Sequence, residues 1–444
     1  MTLAKRHPQS PARYSGRCVY ALMLLIASRA LAAESHTDQS EYLLQETPAS
    51  NVGFTGDWGG VRTRAASDGL TLSGGYVSEL AYNASGGQKQ EAAEAGEIDL
   101  GLAADLARLA GVRGGVFKAT LTDRRGTNLA DSAGLGVFQE VQEINGRGHT
   151  WRLTQFWYEQ SVGAVDIKIG RDPPNDDFAA FSCDFQNLSF CSAAPGNIVT
   201  DTWFNWPIAE WFARLRIDVR EAYIQTGAYV DNPRDLDGGV TLGHIRGATG
   251  ALYPVEIGWS PTFAERAGSY KIGGWYSSTD IPGSQPLQIP DNDSAGPIIP
   301  TTPTRASRFG GWINLEQNLG LLPTTGGAGL SVFFNLTQAD RHTSEIDQQI
   351  AAGFFYEGLF PGQPKDVIGF GLARTHLSSA LHAQSAANLP TGAKGAEYVA
   401  EAYYGFHPRS WMSFSPNLQV IGHPGAVRSG RPVVVLGLKA GIQL

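Results

Sequence analysis

One short stretch indicates the architecture: Leu436-Gly437-Leu438-Lys439-Ala440-Gly441-Ile442-Gln443-Leu444. Apolar residues occupy its even positions, and glycine or a polar residue occupies each odd position. Side chains of a β-strand point alternately to opposite faces, so this spacing predicts a strand with one apolar and one polar face. Strands of about ten residues with this pattern are typical of a barrel that crosses a membrane.

The same alternation recurs along the chain, in the stretches 97–106, 211–219, 330–337 and 397–406. A soluble β-sandwich also alternates, but it turns its apolar face inward. Two features favour the membrane instead. Charged residues share the polar faces with glycine, as in a wet lumen, and aromatic residues cluster near the ends of the segments, as in interfacial girdles. The sequence therefore predicts an all-β fold, a transmembrane antiparallel β-barrel.

Long and short connections alternate between the predicted strands. The long ones lie near 83–96, 126–149, 172–207, 231–249, 280–305, 339–349, 376–394 and 422–431. The short ones lie near 109–114, 163–164, 220–221, 260–268, 319–326, 360–365 and 407–409. This alternation predicts about 16 strands, with long external loops and short periplasmic turns. An even number of strands places both ends of the barrel chain on the periplasmic side.

The composition agrees with strands and turns rather than with helices. The 444 residues include 54 Gly and 24 Pro but only 3 Met, and 17% of the residues are charged. Glycine and proline are frequent in turns and unfavourable in helices. Beyond the N-terminal region no run of 18 apolar residues occurs, so no transmembrane helix is predicted there.

Residues 1–32 have the pattern of an export signal. A basic region precedes an apolar run from Cys18 to Ala27, which is too short to cross a bilayer as a helix. Ala30-Leu31-Ala32 fits a cleavage site, and a retained anchor is the alternative. Removal of this segment, with its five Lys/Arg and no Asp/Glu, changes the formal net charge from −8 to −13. An acidic chain disfavours nucleic acid as a partner.

The rest of the chain divides into two parts. Residues 33–69 do not alternate and are predicted to form a periplasmic N-terminal segment with a short helix near Val61–Ser67. Residues 70–444 form the predicted outer-membrane β-barrel. Within the barrel, the stretch 282–304 is rich in Pro, Ser and Thr and is predicted to be an external loop.

Two cysteines remain after the signal is removed. Cys183 and Cys191 are spaced to close a short loop, and in an exported protein such a pair predicts a disulfide. Two free thiols and a metal site are the alternatives. No histidine or second cysteine pair accompanies them, so neither a metal nor another cofactor is predicted.

Several motifs resemble those of one known family. Gly56-Asp57-Trp58-Gly59-Gly60-Val61-Arg62 precedes the first predicted strand, and Arg124-Arg125-Gly126 ends the third. Gly170-Arg171-Asp172-Pro173-Pro174-Asn175-Asp176-Asp177-Phe178 follows the fifth strand, and Trp206-Pro207 lies beyond the cysteine pair. From about Gly53 onward the chain resembles carbohydrate-selective porins of the OprB family. The resemblance implies a sixteen-stranded outer-membrane barrel that passes monosaccharides such as glucose by diffusion through a narrow pore.

Strand parity selects candidates for the narrowest part of the pore. Arg124 faces inward in the third strand, where the family likeness also points, and Glu79 faces inward in the first. Trp203 and Trp206 lie in the long connection 172–207 and offer an aromatic surface for a sugar ring. We therefore predict a constriction of Arg124 together with Arg125, Glu79 as counter-charge, and Trp203 or Trp206. The alternative is a structural ion pair for Arg124 and an interfacial girdle for both tryptophans.

Two further charged groups are assigned structural roles. Arg214 and Arg216 face inward, and pairing with Glu97, Asp99 or Asp105 is favoured over a basic wall of the pore. Asp172, Asp176 and Asp177 are predicted to cap a loop. A Ca²⁺ site is the alternative for this acidic group, although a spaced series of ligands is missing.

The predicted function is a passive porin of the outer membrane and not an enzyme. The chain has no Gly-x-Ser-x-Gly, His-Glu-x-x-His or P-loop motif. An exported β protein that binds or hydrolyses sugars is the alternative, since a glycosidase needs only two suitably placed carboxylates. The expected partners are small carbohydrates together with outer-membrane lipid and lipopolysaccharide. The expected assembly is a monomer or a homotrimer.

Overall fold

The computed structural model describes residues 53–279, 308–320, 329–360, 362–379 and 393–444. The predicted signal at 1–32, the first part of the predicted N-terminal segment and the predicted external loop 282–304 lie outside these ranges. Within the described ranges, no helix combines the length and the apolar character that are needed to cross a membrane.

In the described ranges, seventeen β-strands form one antiparallel sheet. Strand β9, Thr262–Phe263, has only two residues and lies in the turn between β8 and β10, so sixteen long strands remain. The bounds of the long strands are β1 Leu70–Ser85, β2 Ala92–Asp105, β3 Gly115–Gly126, β4 Trp151–Val162, β5 Val165–Asp172, β6 Glu210–Val219, β7 Ala222–Asp231, β8 Gly250–Trp259, β10 Arg266–Ser277, β11 Arg308–Asn318, β12 Gly329–Ala339, β13 Ile346–Glu357, β14 Val367–Leu377, β15 Ala396–Arg409, β16 Met412–Gly422 and β17 Val433–Gln443.

The sheet closes on itself because β1 pairs with both β2 and β17. In the register of β1 and β17, Leu80 lies opposite Leu438 and Glu79 lies opposite Lys439. A closed barrel leaves no strand edge whose N–H and C=O groups would face lipid without partners. The predicted transmembrane β-barrel of sixteen strands is therefore confirmed.

Side-chain exposure follows the alternation in the sequence. The outward residues Leu80, Ile272 and Leu436 are 46%, 56% and 50% exposed, whereas the inward residues Glu79 and Gln419 are fully buried. An outer face with this much exposed apolar surface suits lipid rather than water. Polar residues therefore lie on the inside of the barrel.

Long loops leave one end of the barrel, and the turns at the other end are mostly short. Two of these loops contact the inner wall of the barrel: L2 (residues 127–150), which follows β3, and L3 (residues 173–209), which follows β5. Strands β1 and β2 extend further than predicted, so the first long connection shrinks to residues 86–91. The described barrel chain begins and ends at the same end, as an even number of strands requires.

Four short α-helices accompany the strands within the residues that the structure describes: α1 Val61–Ser67, α2 Leu106–Ala110, α3 Leu129–Ser132 and α4 Ala194–Ile198. Helix α1 forms at the residues that the sequence predicts. Local contacts explain the motif Gly56 to Arg62, which leads into this helix. Gly59 and Gly60 have φ of 66° and 86°, which glycine adopts at no steric cost, and Arg62 donates from Nη1 to the backbone oxygen of Leu444 at 2.7 Å. The motif therefore fastens α1 to the end of the last strand.

Candidate pore constriction

Loop L3 folds into the lumen and packs against the inner wall. The ring of Phe185 lies 5.0 Å from that of Tyr403 on β15, and Trp203 lies 5.8 Å from Trp275 and 5.5 Å from Trp312, between ring centroids. These aromatic side chains are almost completely buried. Packed aromatic side chains of L3 and of the inner wall therefore fill part of the lumen.

Two glycines of the inner wall make room for this packing. A Cβ at Gly273 would lie 2.1 Å from Cζ2 of Trp312, and a Cβ at Gly310 would lie 2.2 Å from Cη2 of Trp275. A Cβ atom cannot lie this close to a ring carbon, so neither position accommodates a residue larger than glycine. The tryptophan rings therefore lie against bare backbone of the neighbouring strand, which lets L3 approach the wall closely.

The segment Asn175 to Phe178 positions the second half of L3. The side-chain oxygen of Asn175 accepts a hydrogen bond from the backbone N–H of Trp206 at 2.8 Å. Asp177 pairs with Lys168 of β5 at 3.1 Å, and Phe178 is fully buried. The motif thus holds the loop at both a charged and an apolar contact, and it fixes where Trp206 enters the lumen.

Glu97 of β2 brings two of the predicted residues together. One carboxylate oxygen accepts a hydrogen bond from Nε of Arg124, and the other accepts from the indole Nε1 of Trp206 at 3.0 Å. Arg124 is 8% exposed, and Trp206 is partly exposed. The structure therefore joins Arg124 and Trp206 through a carboxylate that the sequence analysis assigned to another pairing.

Loop L2 adds a residue that the sequence analysis missed. The guanidinium of Arg147 lies 5.8 Å from the ring centroid of Phe204. Burial and, to a smaller extent, the positive charges of Arg152 and Arg124 together lower the pKa of Arg147 to about 10. The group still carries its charge at neutral pH. Alternation gives no signal for Arg147, because the residue lies in a loop.

Three other predicted residues lie away from this group. Arg125 points outward with 67% of its side chain exposed and pairs with Asp123 at 2.6 Å. Glu79 does face inward, but it pairs with Lys439 at 3.2 Å and not with Arg124. Trp203 is fully buried in the aromatic cluster. Consequently Arg124 and Trp206 are the predicted residues that the structure brings together, through the carboxylate of Glu97.

The other charged groups are ion-paired, but with partners that differ from the predicted ones. Arg214 pairs with Glu159 at 2.7 Å, and Arg216 pairs with Asp218 at 3.0 Å, so the predicted pairing with Glu97, Asp99 or Asp105 is wrong. Strand neighbours β5 and β7, rather than β2, flank the strand that carries both arginines.

Asp172 at the end of β5 and Asp177 in L3 lie on either side of the ammonium group of Lys168. Nζ of Lys168 lies 2.6 Å from Asp172 and 3.1 Å from Asp177. A cation of the protein itself therefore occupies the place between these carboxylates, which favours the predicted loop-capping role over a Ca²⁺ site.

The predicted disulfide forms between Cys183 and Cys191. A carboxylate oxygen of Glu143 lies within 4.8 Å of both sulfur atoms, a grouping that is otherwise compatible with a metal. Sulfur atoms joined to each other are not thiolates, and thiolates are the form that binds metal. The pair therefore fastens the tip of L3.

Comparisons with known proteins agree with this architecture. The profile of the carbohydrate-selective porin, OprB family, matches residues 89–444. Porin B of Pseudomonas aeruginosa is 35% identical over 98% of both chains, and the putative porin QuiX of Acinetobacter baylyi is 29% identical over 86% of this chain and 91% of its own. The high-pH structure of Pseudomonas putida OprB superposes with a TM-score of 0.78 at 34% identity, covering 89% of this chain and 99% of that one.

Proposed function

Since the chain belongs to the OprB family of carbohydrate-selective porins of the outer membrane, we propose that it is a passive pore for monosaccharides such as glucose. Porins are channels rather than enzymes, and diffusion through such a pore breaks no covalent bond. The proposal goes beyond family membership in naming the solute and in assigning the constriction to Arg124, Glu97, Trp206 and Arg147.

One observation carries the proposal. Inside the lumen, a single carboxylate, that of Glu97, holds a guanidinium on one oxygen and an indole N–H on the other. A monosaccharide is a neutral ring with hydroxyl groups that donate and accept hydrogen bonds and with apolar C–H faces. The constriction offers matching donors, an acceptor and an aromatic surface at one level of the pore.

The charges at the constriction also favour a neutral solute. Arg124 and Glu97 compensate each other, so this pair presents no net charge, and the remaining charge is that of Arg147, whose guanidinium lies over the ring of Phe204. A hydroxyl group is able to replace part of the contact between the two side chains without carrying a charge of its own. The pore therefore discriminates by hydrogen bonding and size rather than by net charge.

A single chain supplies every residue of the proposed constriction. The pore therefore does not need a second copy for its solute path, and we propose that a monomer is sufficient even if barrels associate as trimers. The exposed apolar side chains on the outer face of the strands, such as Leu80 and Ile272, are the proposed contacts with outer-membrane lipid and lipopolysaccharide.

The test compares Arg124→Ala with Arg125→Ala, because the two arginines are adjacent and only Arg124 faces the lumen. The first variant loses a charged hydrogen-bond donor in the pore, so glucose should bind in the pore about tenfold more weakly. The measurement is glucose block of ion current in planar bilayers together with glucose-driven swelling of liposomes.

Arg125→Ala is expected to behave as the unsubstituted protein. Unchanged glucose block and unchanged conductance for Arg124→Ala would remove Arg124 from the solute path. Recovery of the mature protein in the soluble periplasm, or hydrolysis of a sugar by the purified barrel, would favour the alternative of an exported sugar-binding or sugar-hydrolysing β protein.

A further inference from the structure

The tip of L3 lies far from the strands that carry the loop. L3 leaves the wall at β5, but its disulfide-closed tip contacts β15, β16 and β17. Around the ring of sixteen long strands, β15 lies seven strands from β5 in one direction and nine in the other. The loop therefore spans the lumen and binds the wall almost opposite its origin.

Glu401 of β15 holds the tip through two backbone N–H groups. Its Oε1 accepts from the N–H of Gln186 at 2.9 Å, and its Oε2 accepts from the N–H of Asn187 at 2.8 Å. The residue is 1% exposed. Both carboxylate oxygens are thus used for the path of the loop, and this side chain does not touch the open passage.

Lys439 of β17 holds the same tip through carbonyl groups. Its Nζ donates to the backbone oxygens of Cys183 at 2.8 Å and Phe185 at 3.2 Å. It also donates to a carboxylate oxygen of Glu143 in L2 at 2.9 Å. One ammonium group therefore ties both lumen loops to the last strand of the barrel.

The strand between them contributes two amides. Nδ2 of Asn417 donates to the side-chain oxygen of Gln186 at 2.7 Å, and Nδ2 of Asn187 donates to the side-chain oxygen of Gln419 at 2.9 Å. Nε2 of Gln419 in turn donates to the backbone oxygen of Val141 in L2 at 2.9 Å. The contact between the loops and the wall is therefore continuous across β15, β16 and β17.

Glu397 repeats the arrangement four residues earlier on the same face of β15. Its carboxylate accepts from the backbone N–H groups of Phe138 at 2.9 Å, Gln139 at 3.3 Å and Gly425 at 2.8 Å. Phe138 and Gln139 belong to L2, and Gly425 lies in the loop between β16 and β17. Two fully buried glutamates of one strand thus bind the backbones of three loops.

We propose that Glu397, Glu401, Asn417, Gln419 and Lys439 form a docking patch whose function is to hold L2 and L3 across the lumen and so to fix the bore of the pore. These are positioning residues. They act through the loops that carry Arg147 and Trp206 and not through contact with the solute. The inference does not depend on which solute passes, so the proposed glucose specificity and the docking patch fail or succeed separately.

The test uses Glu401→Gln, which preserves the shape of the side chain. A glutamine presents one oxygen and one NH₂ group, so one of the two loop N–H groups faces a donor. A buried hydrogen bond to a charged group stabilises the docked position of the loop. Its loss should therefore make the undocked tip at least about tenfold more populated. We expect single-channel currents to leave the main conductance level about tenfold more often than in the unsubstituted protein.

Glu316→Gln is the matched control. Glu316 also faces the lumen, from β11, and within the described residues it makes no hydrogen bond with L2 or L3. The control removes a lumen carboxylate without removing a hydrogen bond to either loop, and its current should remain as steady as that of the unsubstituted protein. Equal barrel stability, measured as the temperature at which electrophoretic mobility changes, separates loop release from general destabilisation.

A Glu401→Gln current that is as steady as the Glu316→Gln current would overturn the proposal. If Glu401→Gln does not yield a folded barrel, Asn187→Ala tests a neighbouring contact of the docking patch from the loop side, because it leaves every residue of the wall unchanged. It removes the hydrogen bond to Gln419, and it should also increase departures from the main level. A steady current for Asn187→Ala would likewise contradict the docking patch.

Discussion

The constriction and the docking patch each centre on a lumen-facing glutamate, but the two glutamates receive different donors. Glu97 binds side chains, the guanidinium of Arg124 and the indole of Trp206, and its own side chain is 12% exposed. Glu401 binds only backbone N–H groups of the loop among its described contacts and is 1% exposed. Side-chain donors can rearrange when a solute passes, whereas backbone donors determine where a loop runs. Under the two proposals, the same residue type lines the pore in one region and shapes it in the other.

Trp203 and Trp206 allow the strongest test of this division, because they lie three residues apart in L3. Trp203 is fully buried against Trp275 and Trp312, so Trp203→Ala leaves a large cavity and should cost about 3–5 kcal/mol of stability. Trp206→Ala removes a partly exposed ring and one hydrogen bond, so it should cost only about 1 kcal/mol.

The measurement is urea unfolding of the two variants in lipid, followed by electrophoretic mobility. Glucose block of the current should show the opposite order, with the larger change in Trp206→Ala. Greater destabilisation by Trp206→Ala than by Trp203→Ala would contradict the assignment of the two rings to different regions.

Removal of the disulfide sharpens the comparison at the docking patch. Cys183→Ser combined with Cys191→Ser should lower stability by about 2–3 kcal/mol, since the unfolded chain gains the freedom of an open loop. The conductance level should stay the same, because Lys439 and Glu401 bind the backbone of the tip and not its sulfur atoms. A changed conductance level in the double variant, recorded in planar bilayers, would show that the patch does not hold the tip without the disulfide.

Local alternation predicts the barrel well, because every strand obeys the same two-residue period. It correctly turned Glu79 and Lys439 inward and Leu80 outward. The same parity, with the family resemblance, selected Arg124, whereas Trp206 was selected for its place in the long connection 172–207, and the structure joins the two through Glu97. The adjacent Arg125 was a poorer candidate, because neighbouring residues of a strand point to opposite faces.

The interaction partners of a side chain are harder to predict from the sequence than the face of the strand to which it points. Glu79 was expected to compensate Arg124, but its partner is Lys439 on the strand that closes the barrel, far away in the sequence. The contacts of Lys439 and Glu401 are with backbone atoms of a distant loop, and backbone atoms carry no sequence signal. The docking patch therefore emerges only when the path of L3 is known.

Glu97→Gln tests the constriction alone, and its effect should be the smallest of those predicted for these variants. The substitution removes the negative charge next to Arg124 and leaves the positive charge of Arg147 nearby, so anions should pass more easily relative to cations. One unit charge at a few ångströms in a partly wet pore corresponds to about 1 kcal/mol, or roughly a fivefold shift in the permeability ratio. Reversal potentials in a KCl gradient measure this ratio.

Glu94→Gln is the control, because Glu94 lies on the outer face of the same strand and binds Ser78 at 2.6 Å. If both variants shift the ratio equally, the change reflects the overall charge of the barrel, and Glu97 has no special place in the pore.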